Sequence, residues 1–187
     1  MNILNIPGNL GALMKWAEQF SSCQLIDQGS FPDPYKKEII CLPGGNLGSI
    51  PNQSLSKQLF EFLKNGGRIF AICGAFQALF SSSEENKCGQ YLSIFPAKAY
   101  RLKKPNIGFN RVISDWYEGD VYFNCKYSVY FKEGDWNHLK ITDLKIATDK
   151  EGYLQAIRTP SVLGVQFHPE LSFGNFDQVF KNWAHEK

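Results

Sequence analysis

A cysteine that ends a short apolar run constrains the fold of this chain more than any other feature. The run Arg68–Ile72 predicts a buried strand, Cys73 follows it, and Phe76, Leu79 and Phe80 then recur at helical spacing. This order places Cys73 on a sharp strand-to-helix turn. Such a turn lifts a side chain out of the sheet and points the next backbone N–H groups at whatever that side chain attacks. Free cysteine is also a common core residue, so a structural role for Cys73 stays open at this point.

A second segment with reactive side chains lies near the C-terminus. The apolar run that starts at Val162 ends in His168, Pro169 and Glu170. In an extended chain, residues two apart point to the same face, so His168 and Glu170 share one side of the strand end. Pro169 keeps His168 out of helical conformations. A base with an orienting carboxylate, together with a thiol on a sharp turn, supplies the three members of a catalytic triad.

The order of the elements predicts an α/β fold with a largely parallel central sheet flanked by helices in three layers. Strands are expected at 3–6, 24–26, 38–42 and 68–72, and helices from Leu10 and Pro51 alternate with them. From 91 to 157, short aromatic and β-branched runs separated by turns predict an antiparallel β extension in the middle of the chain. Ligands of such sheets bind at the carboxyl ends of the strands.

Length and charge limit the possible partners. A chain of 187 residues with 43% hydrophobic residues predicts one domain over residues 1–187. A formal net charge of +2 gives no reason to expect nucleic acid or an anionic membrane as a partner. The first residues lack the basic region of a signal peptide, and no apolar run is long enough to span a bilayer.

The cysteines and histidines predict a reduced protein without a metal. The five cysteines are odd in number and show no paired spacing: Cys23, Cys41, Cys73, Cys88 and Cys125. We therefore expect a cytoplasmic location. The three histidines form no ligand cluster with them: His138, His168 and His185. Neither a metal nor another cofactor is expected.

The turn at Cys73 and the Gln-Phe-His-Pro-Glu strand resemble those of the class I (triad) glutamine amidotransferases. This resemblance implies that Cys73, His168 and Glu170 are catalytic. The family usually carries glycine two residues before and two residues after the cysteine, where this chain has Ala71 and Ala75. An alanine after the cysteine adds one methyl group at a tight contact between helix and strand.

The same resemblance implies an oxyanion hole and a glutamine pocket. In the family, one oxyanion amide comes from a glycine-rich loop and the other from the residue after the cysteine, which implies Gly45 and Gly74 here. Gln77 matches a family position that lines the glutamine pocket. From the residues alone, the loop that contains Gly45 reads as a tight turn, and Gln77 as a capping or solvent-facing residue.

A segment in the middle of the chain narrows the resemblance. Pro105-Asn-Ile-Gly-Phe-Asn110 is similar to the Pro-His-Met-Gly-Trp-Asn segment of the glutaminase subunit of imidazole glycerol phosphate synthase, which lies near the interface with the synthase. It implies these partner-interface residues: Asn106, Gly108, Phe109 and Asn110. Residues 124–127, Asn-Cys-Lys-Tyr, replace a Val-His-Ser-Tyr run that helps to form the glutamine site, and Tyr127 keeps its position as a substrate-binding residue.

The resemblance implies a glutaminase that hydrolyses L-glutamine and delivers ammonia to a separate synthase subunit, a cyclase-like barrel. The acceptor would be that of imidazole glycerol phosphate synthase or of a paralogous sugar-aminating system. Two alternatives stay open. One is a glutaminase of the pyridoxal phosphate synthase type, and the other is a non-catalytic binding or regulatory subunit that keeps the fold.

Overall fold

The computed structural model describes residues 1–36, 38–45, 53–87, 89, 91–131 and 141–186. Cys88, His138 and the predicted helix start at Pro51 lie outside these residues. The described chain contains ten strands in one sheet, and they are β1 Asn2–Leu4, β2 Gln24–Ile26, β3 Ile39–Leu42, β4 Arg68–Ile72, β5 Phe80–Ser83, β6 Phe95–Ile113, β7 Glu118–Tyr130, β8 Lys145–Thr148, β9 Tyr153–Arg158 and β10 Val162–Val165. The helices are α1 Leu10–Ala17, α2 Gln53–Lys64, α3 Gly74–Ala78 and α4 Asp177–Ala184, with 3-10 turns at Pro34–Lys36 and Pro169–Leu171.

The sheet runs in the order β2-β1-β3-β4-β10-β9-β7-β6-β5, and β8 pairs with β9. The first five strands of this order are parallel, and the strands from β10 to β6 pair antiparallel. The mostly parallel α/β sheet with some antiparallel strands is therefore confirmed. No helix in the described part of the chain is long and apolar enough to cross a membrane.

Helices cover both faces of the parallel half. Leu13 and Trp16 of α1 share a buried cluster with Phe180 and Trp183 of α4. Apolar side chains of α2 and α3 share a second cluster on the other face of the sheet. Every residue of β4 and β10 is buried, as expected for central strands of a parallel sheet.

The helix after Cys73 is shorter than the spacing of Phe76, Leu79 and Phe80 predicts. It ends at Ala78, and Phe80 is the first residue of β5. The Phe80 ring packs edge-to-face on Phe76 in the core, so burial gives it the same apolar surroundings that a helix position would. The expectation that Phe80 continues the helix is wrong for this reason.

The antiparallel part consists of one long hairpin, β6 and β7, with the short strands β8 and β9 beside it. β6 and β7 stay paired from Lys98 opposite Tyr130 to Ile113 opposite Glu118. The register shifts once, between Arg101 and Asn106, and Pro105 lies in that irregular stretch. A proline cannot donate a ladder hydrogen bond, and a bulge is where a strand tolerates one.

Candidate active site

Cys73 lies on the turn between β4 and α3 and has a backbone conformation that residues with a side chain rarely adopt. Its φ is 50° and its ψ is −110°. The Cys73 amide donates a 2.8 Å hydrogen bond to the carbonyl of Val165 in the neighbouring strand β10. The fully buried strands on both sides hold the turn in place, so the strain is imposed by the sheet. The sharp strand-to-helix turn predicted at Cys73 is present.

His168 and Glu170 meet Cys73 at the carboxyl end of β10. His168 Nδ1 lies 2.8 Å from Oε1 of Glu170, a distance at which an N–H donates to a carboxylate. The imidazole and the Cys73 side chain both pack against Gly44 and line the same cavity. The Glu170 side chain is 1% exposed, and its Oε2 has no hydrogen-bond partner among the described residues. The structure thus brings the three predicted residues together, with His168 bonded to Glu170 and next to Cys73.

The surroundings of His168 favour its protonated form. Burial alone lowers the pKa of His168, but the interactions of the imidazole with the neighbouring Cys73 and Glu170 outweigh burial and raise the pKa from 6.5 to about 10.

Two glycines allow the backbone to approach these side chains. A Cβ at Gly44 would lie 2.8 Å from Cε1 of His168 and 3.2 Å from Cβ of Cys73, so Gly44 packs directly against both. The carbonyl oxygen of Gly45 occupies the space that a side chain at Gly74 would need. The two residues predicted for the oxyanion hole, Gly45 and Gly74, are therefore in contact beside Cys73.

A cavity of about 420 Å³ opens in front of Cys73. Its volume falls within the usual range for small-molecule sites. Besides Cys73 and His168 it is lined by backbone from three glycine-containing turns and by polar side chains, among them Asn9, Gly45, Gly74, Gln77, Glu85, Asn124, Lys126 and Tyr127.

Gln77 is buried on α3 rather than facing solvent or capping the helix. Its Nε2 donates to the carbonyl oxygen of Tyr127 at 2.9 Å and to Oε1 of Gln166 at 3.1 Å. Its Oε1 is buried and has no partner in the part of the chain that the structure describes. Gln77 and Tyr127, both predicted to bind substrate, therefore meet at the cavity wall.

Sequence reasoning did not single out Gln166 or Glu85. Gln166 is fully buried, and its Nε2 lies 3.8 Å from the sulfur of Cys73, so it links Gln77 to Cys73. Period-two spacing with His168 on an otherwise apolar strand was a signal that could have found Gln166. Glu85 follows β5 in an irregular segment, where no local pattern points to the cavity.

The predicted interface residues lie on both faces of the hairpin. Asn106 and Asn110 hydrogen-bond to each other at 2.7 Å and line a second cavity of about 510 Å³. Phe109 is on the opposite face and 49% exposed, stacked on Phe173 and edge-to-face with Tyr122. Gly108 lies between the two asparagines with φ of 100°.

Comparison with known families gives the same reading as the geometry. The sequence profile of the class-I glutamine amidotransferases matches residues 30–186. The chain belongs to this family. It is accordingly a glutamine amidotransferase, as the turn at Cys73 and the Gln-Phe-His-Pro-Glu strand predicted.

Curated relatives and a solved structure extend the match over most of the chain. Imidazole glycerol phosphate synthase subunit HisH of Pyrococcus furiosus is 32% identical over 81% of this chain and 84% of its own length. The subunit of the same name from Chlorobaculum tepidum is 30% identical over 95% of this chain and 94% of its own. A crystal structure described as a glutamine amidotransferase superposes with a TM-score of 0.72 over 99% of this chain and 98% of its own, at 13% identity, which is a likeness of fold.

Proposed function

We propose that this amidotransferase hydrolyses L-glutamine to glutamate and ammonia and passes the ammonia to a separate synthase subunit. The observation that carries the proposal is that Cys73 and His168 lie side by side at the wall of one cavity, with His168 bonded to Glu170. The acceptor is that of imidazole glycerol phosphate synthase, whose subunit the relatives are named for, or of a paralogous sugar-aminating system.

In the proposed reaction, the Cys73 sulfur attacks the side-chain carbonyl carbon of glutamine and forms a C–S bond. His168 holds the thiol proton and transfers it to the leaving nitrogen, so the C–N bond breaks and ammonia departs from a thioester. Water then attacks the thioester with His168 as its base, which frees glutamate and returns the proton to sulfur. Glu170 fixes the tautomer and the direction of the imidazole.

The negative oxygen of each tetrahedral intermediate needs backbone donors next to Cys73. Gly74 follows the nucleophile directly at the start of α3, and Gly45 lies against it. We assign the two oxyanion amides to these residues. One such donor typically contributes about 3 kcal/mol to the transition state.

The need for a partner follows from the chemistry of ammonia. Ammonia is mostly protonated near neutral pH and is then not a nucleophile, so an open site would lose it. The family avoids this loss by docking on a synthase, which by the resemblance is a cyclase-like barrel. The curated relatives are named as subunits, which supports a separate synthase.

We assign the docking surface to the outer face of the β6–β7 hairpin. Three large apolar side chains there are 49–87% exposed, and we call them the hairpin patch: Ile107, Phe109 and Phe173. Contiguous exposed apolar side chains on a folded protein typically mark an interaction site. The patch borders the cavity, because Ile107 pairs across the hairpin with Asn124, a cavity residue.

The hairpin patch is also connected to His168. The His168 amide donates to the Tyr122 carbonyl at 2.8 Å, and the Tyr122 amide donates to the Ser172 hydroxyl at 3.0 Å. The Ser172 hydroxyl donates to the His168 carbonyl at 2.6 Å, and Phe109 packs on Tyr122. A synthase that moves the patch would thereby reposition the imidazole, which gives partner-dependent activity a physical route.

A non-catalytic subunit with the same fold is the second candidate, favoured by the alanines at Ala71 and Ala75. The structure makes Ala75 a weaker argument for a non-catalytic subunit. The close approach of α3 to β10 occurs at Gly164, where an added Cβ would lie 2.5 Å from the Phe76 ring. A glutaminase of the pyridoxal phosphate synthase type is disfavoured because the curated relatives reported above carry a different name.

Alkylation with an electrophilic glutamine analogue tests the proposal. We expect stoichiometric labelling of Cys73, protection by excess L-glutamine, and no labelling of a Cys73→Ser variant. Cys23→Ser, which changes a thiol outside the cavity, should label like the wild type. Ammonia release is then measured with and without candidate synthases, and it should rise on adding the right one. Unselective labelling would favour the non-catalytic subunit, and full activity in isolation would contradict the need for a partner.

A further inference from the structure

A chain of buried amide groups ends at the reactive sulfur. Gln77 Nε2 donates to the backbone carbonyl of Tyr127 at 2.9 Å and to Oε1 of Gln166 at 3.1 Å. Gln166 Nε2 in turn lies 3.8 Å from Sγ of Cys73, a hydrogen-bond distance for the large sulfur atom. Both glutamine side chains are buried, so water does not compete for these contacts.

The Tyr127 carbonyl fixes the direction of this chain. A backbone carbonyl is an acceptor only, so Gln77 must present its NH2 group to it. The second hydrogen of that NH2 group then goes to Oε1 of Gln166. The NH2 group of Gln166 is therefore the end that faces Cys73, and turning the amide over would bring two donors together at Gln77.

The sulfur needs a donor at two points of the proposed reaction. It carries negative charge as the attacking thiolate, and again when the C–S bond of the thioester breaks and the electron pair returns to sulfur. A hydrogen bond to an ionised acceptor is about twice as strong as a neutral one, so the Gln166 amide favours the thiolate over the thiol. The backbone carbonyl of Asn124, 3.9 Å from Sγ of Cys73, can only accept and favours the thiol instead.

Resting on the proposed glutaminase function, we infer that Gln166 is a further catalytic residue, which donates a hydrogen bond to the Cys73 sulfur and stabilises its thiolate form. Gln77 acts through Gln166 and is in this respect a positioning residue, because its NH2 group decides which end of the second amide faces the sulfur.

A purely structural Gln166, which fills the core and satisfies Gln77, is the competing explanation. Two substitutions separate the explanations. Methionine has a similar size but removes the amide, and glutamate keeps an acceptor for Gln77 but has no donor for the sulfur when it is ionised. A structural role predicts that neither substitution changes the pH dependence of sulfur reactivity. A donor role predicts a change in both variants, larger with glutamate because its charge opposes that of the thiolate.

The pH profile of Cys73 alkylation by iodoacetamide tests the donor role without any turnover. The folded protein is treated briefly across the range in which thiols titrate, and mass spectrometry follows labelling of the peptide that contains Cys73. In Gln166→Met the midpoint of the profile should rise by about one pH unit, the effect of losing one hydrogen bond to a charged group. In Gln166→Glu it should rise further. Urea unfolding checks that each variant is folded.

Gln155→Met is the matched control. Gln155 is a buried glutamine on the neighbouring strand β9, and its carbonyl accepts from the Gln166 amide at 2.8 Å. Its side chain bonds to Asp149 and to the Tyr153 carbonyl rather than to Cys73. The substitution should lower stability through the lost hydrogen bonds and leave the midpoint where it is. If neither Gln166 variant folds, Gln77→Met frees the Gln166 amide to turn and should raise the midpoint by less.

The inference is overturned if the midpoint of every folded variant at these two positions equals that of the wild type, or if Gln155→Met shifts it as much. A protein that releases ammonia and shows no shift keeps the proposed function and loses this inference. A shift in a protein that releases no ammonia with any synthase does the reverse, since alkylation needs no turnover.

Discussion

The parallel and antiparallel halves of the sheet differ in how they treat their side chains. In the parallel half, β4 and β10 are buried on both faces. β4 ends just before Cys73, and β10 ends shortly before His168. In the antiparallel half, β6 and β7 expose one face, which carries Lys126 and the hairpin patch. Burial on both faces fixes backbone positions to a fraction of an ångström, which suits bond-breaking groups. An open face suits recognition, because its side chains are free to contact a substrate or a partner.

The largest expected effect concerns Glu170, next to the parallel half of the sheet. Glu170→Gln replaces an acceptor by an amide that can donate to Nδ1, which favours the wrong imidazole tautomer. We expect kcat to fall by about 10³ to 10⁴. Ammonia release measures the loss, and a variant that keeps wild-type kcat would remove Glu170 from the mechanism.

The same variant tests the charge of His168. The folded-state pKa of about 10 lies above the ordinary 6.5, so protonation of His168 stabilises the fold fully below pH 6.5, and this contribution is lost as pH rises towards 10. Removing the Glu170 charge should lower the pKa of His168 and flatten this loss. NMR titration of the ring and urea unfolding between pH 6.5 and 10 measure both effects.

Gly44→Ala tests how closely the parallel half of the sheet positions the side chains of Cys73 and His168. The added Cβ would displace the imidazole or the Cys73 side chain, and a shift of about 1 Å can cost about 10² in rate. Gly11→Ala is the matched control, because nothing lies within 4 Å of its new Cβ, and it should keep full activity. Equal activity of the two variants would mean that the site adapts, which would break the contrast between the halves.

Phe109→Ala tests the antiparallel half of the sheet as a docking surface. Truncating an interface anchor typically costs about 2 kcal/mol, so affinity for the synthase should fall about thirtyfold, with little change in unfolding free energy. Phe60 on α2 is 53% exposed, and Phe60→Ala is the control that should leave affinity intact. If the two variants bind the synthase alike, docking occurs elsewhere.

The smallest effect is expected at Gly164 in β10, in the parallel half of the sheet. Gly164→Ala crowds the ring of Phe76 and a methyl group of Leu79, and one extra methyl group should cost about 1 kcal/mol of unfolding free energy. Denaturant titration measures it, with Gly11→Ala again as the control. A neutral result would show that α3 can move away from β10.

Local sequence pattern was enough to predict those parts of the fold whose conformation depends mainly on neighbouring residues. The strand ending at Cys73 follows from side-chain period alone. The pairing of His168 with Glu170 was predicted from an extended strand end, but Glu170 lies in the 3-10 turn Pro169–Leu171, so that turn makes the contact. Local pattern failed at Phe80, which is apolar and suits either a helix or a strand until the core is built. It also failed to show that β6 and β7 are continuous, because their polar outer positions resemble turns in the sequence.

The sequence by itself determined the α/β class and the sharp turn, because each is set by neighbours within a few positions, and its resemblance to a known family singled out Cys73, His168 and Glu170. Only the tertiary structure decided that Gln166 contacts Cys73, that Gly44 packs on His168, and that Glu85 and Lys126 share a cavity. Those contacts join elements far apart in the chain, and their formation depends on how the whole sheet packs and twists rather than on any local preference.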